Sequence, residues 1–208
     1  MKKRIVFEVD DVLLTKEPHT DEEYFTDVFG DFAYPVLINL KGSLKEYEKL
    51  NPFYDYQSLS SFLTYKTGIE INKRVIKDWV EIIGNTVDYM NQEAEVILEE
   101  LKERGYDLAV LTNWFEESQI PRLKNSGLYS YFDEIITGSK ALKPHRIAYD
   151  LANGYYTPEE VVYIGNDIYN DYIKPKSYGA DAILYDKDDN HHKTIKKVKS
   201  LSEIKRYI

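Results

Sequence analysis

Short apolar runs alternate with amphipathic stretches over much of this 208-residue chain. Short runs bounded by polar residues favour buried strands, whereas apolar residues three and four positions apart favour helices that pack on one face. Strands are predicted from Ile5 and at 108–111, 134–137, 161–164 and 182–185, and helices at 93–104, 120–126 and 145–152. Strands separated by helices of this length predict an α/β fold, with a Rossmann-like parallel sheet flanked by helices.

The pattern changes between residues 15 and 90. A long amphipathic helix is predicted at 73–90, with Asn72 as its N-cap and with an apolar face at Val75, Ile76, Trp79, Val80, Ile83 and Val87. The tyrosine-rich segment 47–65 predicts further helices. We therefore expect an inserted α-helical cap domain over 15–90, with the α/β core formed by 1–14 and 91–208.

The amino-acid composition excludes some classes of binding partner and some kinds of site. The net charge of −9 disfavours binding to nucleic acid or to an anionic membrane surface. The chain has no cysteine, which excludes disulfides, zinc–thiolate sites and cysteine nucleophiles. No apolar stretch approaches the roughly 18 residues that a membrane span needs, so we predict a cytoplasmic protein. The lysine-rich tail at 193–199 is interpreted as a solvated helix face.

Polar residues follow the predicted strands, where the carboxyl edge of a parallel sheet would bring them together. The four segments are Phe7-Glu8-Val9-Asp10-Asp11-Val12, Leu111-Thr112-Asn113, Lys143-Pro144 and Gly165-Asn166-Asp167-Ile168-Tyr169-Asn170-Asp171, the last followed by Gly179. Each motif alone is weak, but the four in this order resemble the haloacid dehalogenase superfamily, in particular its phosphatases and phosphoglucomutases with a helical cap. The resemblance covers nearly the whole chain.

The resemblance implies phosphoryl transfer through a covalent carboxyl-phosphate, with a small phosphorylated metabolite as substrate. Glu8 would be the nucleophile and Asp10 the proton donor to the leaving group. Thr112 would hydrogen-bond a phosphoryl oxygen, and Lys143 would neutralise charge on the transferred group. Asn113, beside Thr112 in the second motif, completes the predicted catalytic set.

The resemblance also implies Mg²⁺ as the cofactor. Its candidate ligands are Glu8, the backbone carbonyl of Asp10 and, in the fourth motif, Asn166, Asp167 and Asp171. Asn166 is the aligned ligand position because the spacing from Asp171 to Gly179 fixes the register. Asp171 would support the metal's water shell or Lys143.

Three positions depart from the family's pattern. Glu8 replaces the nucleophilic aspartate and is longer by one C–C bond, ~1.5 Å. A misplacement of that size costs on the order of 10²-fold in rate when near-attack geometry governs the reaction. Asn166 puts a neutral amide where the family has an anionic metal ligand, which weakens magnesium binding. Asp11 replaces the glycine at which the backbone turns away from the strand.

Three functions therefore stay open on the sequence alone. The first is a magnesium-dependent phosphatase of reduced activity. The second is a catalytically inactive relative that binds a phosphorylated ligand or a protein partner. The third is a haloacid dehalogenase-type hydrolase, which needs no metal but needs the same nucleophile. Trp114 and Phe115, after the second motif, either wall the substrate pocket or pack the core against the cap.

Overall fold

The computed structural model of the chain describes residues 2–208. In that range the strands are β1 Arg4–Phe7, β2 Leu14–Lys16, β3 Asp88–Met90, β4 Asp107–Leu111, β5 Glu134–Ile136, β6 Val161–Gly165, β7 Asp181–Tyr185 and β8 Lys197–Val198. The α-helices are α1 Thr20–Phe29, α2 Ala33–Leu50, α3 Tyr56–Thr67, α4 Lys73–Asn85, α5 Ala94–Glu103, α6 Glu116–Asn125, α7 Arg146–Asn153 and α8 Lys174–Ser177. A π-helical turn at Ile168–Ile173 leads into α8.

Six strands form one parallel sheet in the order β5-β4-β1-β6-β7-β8. Successive side chains of a strand point to opposite faces, and here both faces are covered. Ile5 and Phe7 of β1 pack in a cluster with α5, whereas Val6 packs in a second cluster with α7. Burial on both faces explains the near-continuous apolar runs of the strands. The predicted Rossmann-like α/β core is confirmed.

Helices α1 to α4 form the helical cap, inserted between β2 and β3. They enclose their own apolar cluster, in which Phe25, Tyr47 and Trp79 are almost fully buried. Strands β2 and β3 pair in antiparallel fashion, with Leu14 opposite Met90. The chain therefore leaves the core and returns to it through one two-stranded ribbon, and the predicted cap limits at 15 and 90 lie in that ribbon.

Two aromatic side chains of the core reach into the cap cluster. The Trp114 ring centroid lies 4.7 Å from that of Trp79, and the Phe115 ring stacks on Tyr56 at 4.3 Å. Both core residues are buried. Packing between core and cap is thus one role of Trp114 and Phe115.

The helix predicted at 73–90 is shorter than expected. Its N-cap is confirmed, because the Asn72 side chain accepts hydrogen bonds from the first backbone N–H groups of α4. The helix ends at Asn85, because residues 88–90 pair with β2 instead of continuing the helix. Val87, predicted on the apolar face, is 81% exposed.

The lysine-rich tail is not the predicted helix face. Lys197 and Val198 add β8 to the edge of the sheet beside β7. Lys196 forms an ion pair with Asp181 at 2.6 Å, and Lys197 pairs with Asp186 at 2.8 Å. In the described part of the chain, no helix has the length and apolar character to cross a membrane.

Candidate active site

Glu8 directly follows β1, at the carboxyl edge of the sheet. Its Oε1 accepts a hydrogen bond from the Val9 backbone N–H at 2.7 Å, and its Oε2 accepts one from the Lys143 ammonium. The first bond folds the carboxylate back toward its own backbone, which takes up part of the extra length of glutamate. Burial raises the pKa of Glu8, and the Lys143 ammonium offsets only part of that effect.

Lys143 lies between two carboxylates. Its Nζ donates to Asp171 Oδ1 at 2.5 Å as well as to Glu8, and all three side chains are nearly buried. Burial alone would lower the pKa of Lys143, but the Asp171 and Glu8 carboxylates outweigh it and raise that pKa. The ammonium is therefore held charged at the end of the sheet.

Asn113 fixes the backbone of Lys143. Its Oδ1 accepts from the Lys143 N–H at 2.9 Å, and its Nδ2 donates to the Lys143 carbonyl at 3.0 Å. These two bonds tie the Asn113 amide to the backbone of Lys143. Asn113 is therefore placed to orient Lys143.

Asp10 is oriented by two side chains of α6. Its Oδ1 accepts from Arg122 Nη1 at 2.7 Å, and its Oδ2 accepts from Gln119 Nε2 at 2.8 Å. The same Gln119 amide donates to Thr112 Oγ1 at 3.3 Å. Arg122 also holds Asp88 of β3 through a second pair at 2.7 Å. The predicted proton donor, the predicted phosphate-facing hydroxyl and the ribbon to the cap thus belong to one network.

Sequence reasoning missed Gln119 and Arg122. Both are buried on the inward face of α6, a helix predicted to start only at residue 120. A signal was present, since polar side chains at positions three apart replace apolar ones on a face that packs inward. The partner Asp88 was hidden because 34 residues separate it from Arg122 along the chain.

The polar side chains of the fourth motif make different contacts. Asp171 Oδ2 accepts from the Asp167 N–H at 3.0 Å, so Asp171 holds the loop and Lys143 together. Asp167 Oδ1 caps the π-helical turn by accepting two backbone N–H groups. Asp167 Oδ2 lies 3.4 Å from Lys45 Nζ of the cap helix α2. Asn166 is half-buried in the wall of a neighbouring cavity.

A cavity of about 640 Å³ lies between core and cap, next to Asp10 and Arg122. The core side is lined by Asp10, Asn113 and Trp114, and the cap side includes Lys41 and Leu44 of α2. Trp114 therefore lines the pocket and packs against the cap at the same time. The volume falls in the range of small-molecule sites.

The cap also supplies a carboxylate close to the core residues. Glu48 of α2 accepts a hydrogen bond from Tyr54 Oη at 2.7 Å. Burial raises the pKa of Glu48, and the bonds from Tyr54 and Asn113 and the charges of Lys143 and Lys45 oppose that rise. The positive charges of Lys143 and Lys45 therefore both favour the ionised form of Glu48.

Asp11 takes the place of the motif's glycine in a left-handed backbone conformation, with φ of 58°. Its N–H donates to the Leu14 carbonyl at 2.8 Å, which closes the turn after β1. Aspartate tolerates this conformation better than most residues. The turn therefore forms without glycine, and the Asp11 carboxylate stands exposed at the mouth of the site.

The family model described as "Haloacid dehalogenase-like hydrolase" matches residues 5–185. The chain belongs to this family. A ribulose-1,5-bisphosphate 5-phosphatase of Halopiger xanaduensis is 29% identical over 106 residues, which are 49% of this chain and 44% of that protein. The match thus spans less than half of that relative's length.

Solved structures with the same fold cover almost the whole chain of this family member. The HAD-hydrolase YfnB of Bacillus subtilis, solved with magnesium, has a TM-score of 0.75 at 19% identity and covers 99% of this chain and 97% of its own. The L-2-haloacid dehalogenase of Xanthobacter autotrophicus has a TM-score of 0.74 at 18% identity, with 99% and 98% covered. The HAD phosphatase of Thermococcus onnurineus has 0.70 at 21%, with 99% and 97% covered. At these identities the likeness extends to the fold alone.

The side chains at this edge fit a divalent cation poorly. Within residues 2–208, no three His, Cys, Asp or Glu side chains gather as a metal-binding group. Mg²⁺ prefers anionic oxygen ligands in octahedral geometry. Here the aligned ligand Asn166 is neutral, and the carboxylates of Glu8 and Asp171 already accept bonds from the Lys143 ammonium.

Proposed function

We propose that this hydrolase cleaves the phosphoester bond of a small phosphorylated metabolite, with Glu8 as a covalent nucleophile. The observation that carries the proposal is the Glu8–Lys143 pair at the carboxyl edge of the sheet, next to Asp10, which Gln119 links to Thr112 and which lines a cavity of about 640 Å³. The phosphatase that shares 29% identity over part of the chain supports the same substrate class. Nucleic acid and membrane lipid are not the proposed partners.

In the first step, a carboxylate oxygen of Glu8 attacks phosphorus while the bond from phosphorus to the leaving oxygen breaks. The carboxyl proton of Asp10 passes to that oxygen, so the product leaves as an alcohol. Lys143 neutralises charge on the transferred group, and Thr112 Oγ1 hydrogen-bonds one of its oxygens. Gln119 and Arg122 orient Asp10.

In the second step, water attacks the phosphorus of the glutamyl-phosphate. The Asp10 carboxylate takes a proton from that water, and the Glu8 carboxylate departs from phosphorus. Inorganic phosphate is released and both acids return to their starting forms. The family resemblance also implies magnesium dependence. The neutral Asn166 and the pairing of Glu8 and Asp171 with Lys143 do not favour it.

A panel of phosphomonoesters, assayed with magnesium chloride and with EDTA, tests the proposal. We expect release of inorganic phosphate from at least one member, and loss of that release in Glu8→Gln. Glu103→Gln makes the same change at an exposed position of α5 and should keep the activity. Activity that survives Glu8→Gln would remove Glu8 from the reaction.

A phosphate-binding protein without catalysis is the second candidate. It is favoured by the hydrogen bonds that occupy both Glu8 oxygens and by the neutral Asn166. Binding of phosphate without hydrolysis of any ester in the panel would support this candidate. Release of chloride from a 2-chloroacid, run beside the panel, would instead indicate the dehalogenase reaction.

A further inference from the structure

Every carboxylate oxygen in the Glu8–Lys143–Asp171–Asp167 chain is already an acceptor. Glu8 receives the Val9 N–H and the Lys143 ammonium. Asp171 receives Lys143 Nζ at 2.5 Å and the Asp167 N–H at 3.0 Å. These donors compete with a divalent cation for the carboxylate oxygens, and Asn166 adds no negative charge to attract one.

The remaining oxygens are those of Asp167. Its Oδ1 accepts backbone N–H groups of Tyr169 and Asn170 at 2.9 and 3.0 Å. Its Oδ2 lies 3.4 Å from Lys45 Nζ. Lys45 belongs to the cap helix α2, so this contact crosses the cleft from the cap to the fourth motif.

The fourth motif links Lys45 of the cap to Lys143 of the core. Lys45 Nζ lies 3.4 Å from Asp167 Oδ2, and Asp171 accepts both the Asp167 N–H at 3.0 Å and Lys143 Nζ at 2.5 Å. The charges of both ammonium groups also oppose the rise that burial causes in the pKa of Glu48 on α2. Lys143 is nearly buried and fixed by two carboxylates, whereas Lys45 is 59% exposed and free to turn. A flexible ammonium with three donors can exchange one acceptor for another at small cost.

We propose that Lys45 is a phosphate-binding residue supplied by the cap, and that with Lys143 it allows the site to bind phosphate without a divalent cation. The ligand class rests on the proposed function, but the binding claim does not depend on hydrolysis. Lys45 adds a second ammonium group to that of Lys143, and charge-assisted hydrogen bonds to phosphate are strong.

Isothermal titration calorimetry with inorganic phosphate tests this proposal on the full chain. Protein treated with EDTA should bind phosphate, and excess magnesium chloride should change the dissociation constant by no more than about twofold. Lys45→Met should weaken binding by about tenfold, the effect of losing one charge-assisted contact. Lys49→Met removes the same charge from an exposed position of the same helix and should bind as the unmodified protein does.

Three results would overturn the proposal. They are phosphate binding that requires magnesium, equal binding by Lys45→Met and the unmodified protein, and no phosphate binding in either condition. The proposed function is tested separately by hydrolysis. Phosphate binding in EDTA without any hydrolysis would contradict the catalytic role of Glu8 and would still support the role of Lys45 in binding.

Discussion

Glu8 is the residue on which the proposed chemistry depends. Its carboxylate reaches Lys143, yet one oxygen folds back onto the Val9 N–H. An extra rotatable bond must be frozen before the carboxylate can attack in line. Glu8 therefore has the Lys143 partner that the proposed nucleophile needs, but its side chain is one C–C bond longer than that of aspartate.

Shortening Glu8 tests that reach. Glu8→Asp should raise the rate of phosphoester hydrolysis by on the order of 10²-fold, because the side chain then has the family's length and one torsion fewer. Initial rates of phosphate release at saturating substrate measure the effect, with Glu103→Asp as the matched control. An unchanged or lower rate would show that the site is built around glutamate.

Arg122 joins three elements of the fold. It lies on α6, and its guanidinium contacts Asp10 after β1 and Asp88 of β3. Arg122 and Asp88 are almost fully buried. Arg122 therefore connects the β2–β3 ribbon that leads to the cap with Asp10, the proposed proton donor.

Removing Arg122 should destabilise the protein strongly. Arg122→Met leaves the buried Asp88 carboxylate without its cation, and breaking a buried pair in this way costs about 3–5 kcal/mol. Urea unfolding followed by circular dichroism measures the loss. The double variant Arg122→Met with Asp88→Asn should recover part of it, because no uncompensated charge then stays buried. No recovery in the double variant would contradict a charge-based account.

The loop between α2 and α3 docks on the core by backbone contacts. The Tyr54 N–H donates to the Gly138 carbonyl at 2.7 Å, and the Leu142 N–H donates to the Pro52 carbonyl at 2.8 Å. A Cβ atom at Gly138 would lie 2.7 Å from both Trp114 N and Tyr54 Cδ2. The close approach of cap and core therefore requires glycine there.

Gly138→Ala should lower the free energy of unfolding by about 1–3 kcal/mol, since a methyl group is forced into packed atoms. Gly42→Ala is the matched control, because a Cβ there meets nothing within 4 Å and lies inside α2. That control should stabilise the protein by roughly 0.5–1 kcal/mol. Denaturant unfolding gives the free energy of unfolding of each variant relative to the unmodified protein. Equal changes in the two variants would contradict the close packing at Gly138.

Across the whole molecule, the parts predicted from sequence are those with a repeating local signal. Strand β1 and its parallel neighbours are apolar on both faces, so periodicity reveals them. The ribbon strands β2 and β3 span three residues each and pair across the whole cap insertion, and β8 spans only two residues, too few for a periodic signal. Lys45 comes from the cap, whose orientation on the core no local pattern encodes.

The pH dependence of stability also belongs to the whole molecule. Burial works to raise the pKa of Asp186, but the Lys197 ammonium, His191 and the backbone N–H groups of His191 and Asn190 outweigh it. They hold that pKa well below the ordinary value of about 3.9. A depressed folded-state pKa stabilises the fold above the ordinary value, and the contribution is lost as pH falls through the folded-state value.

Asp186→Asn should therefore destabilise the protein at neutral pH and progressively less below about pH 4. Urea midpoints of both proteins across that range give the comparison. Asp188→Asn, an exposed neighbour, should leave the midpoint nearly unchanged. A constant difference between Asp186→Asn and the unmodified protein at all pH values would show that charge is not the cause.

In the proposed mechanism, Glu8 carries the phosphoryl group during turnover. Mass spectrometry of protein quenched in acid during hydrolysis of an active phosphomonoester tests it directly. We predict a phosphoryl group on the peptide that contains Glu8, absent when substrate is omitted and absent in Glu8→Gln. Steady turnover with no phosphoryl group on that peptide at any quench time would contradict the account.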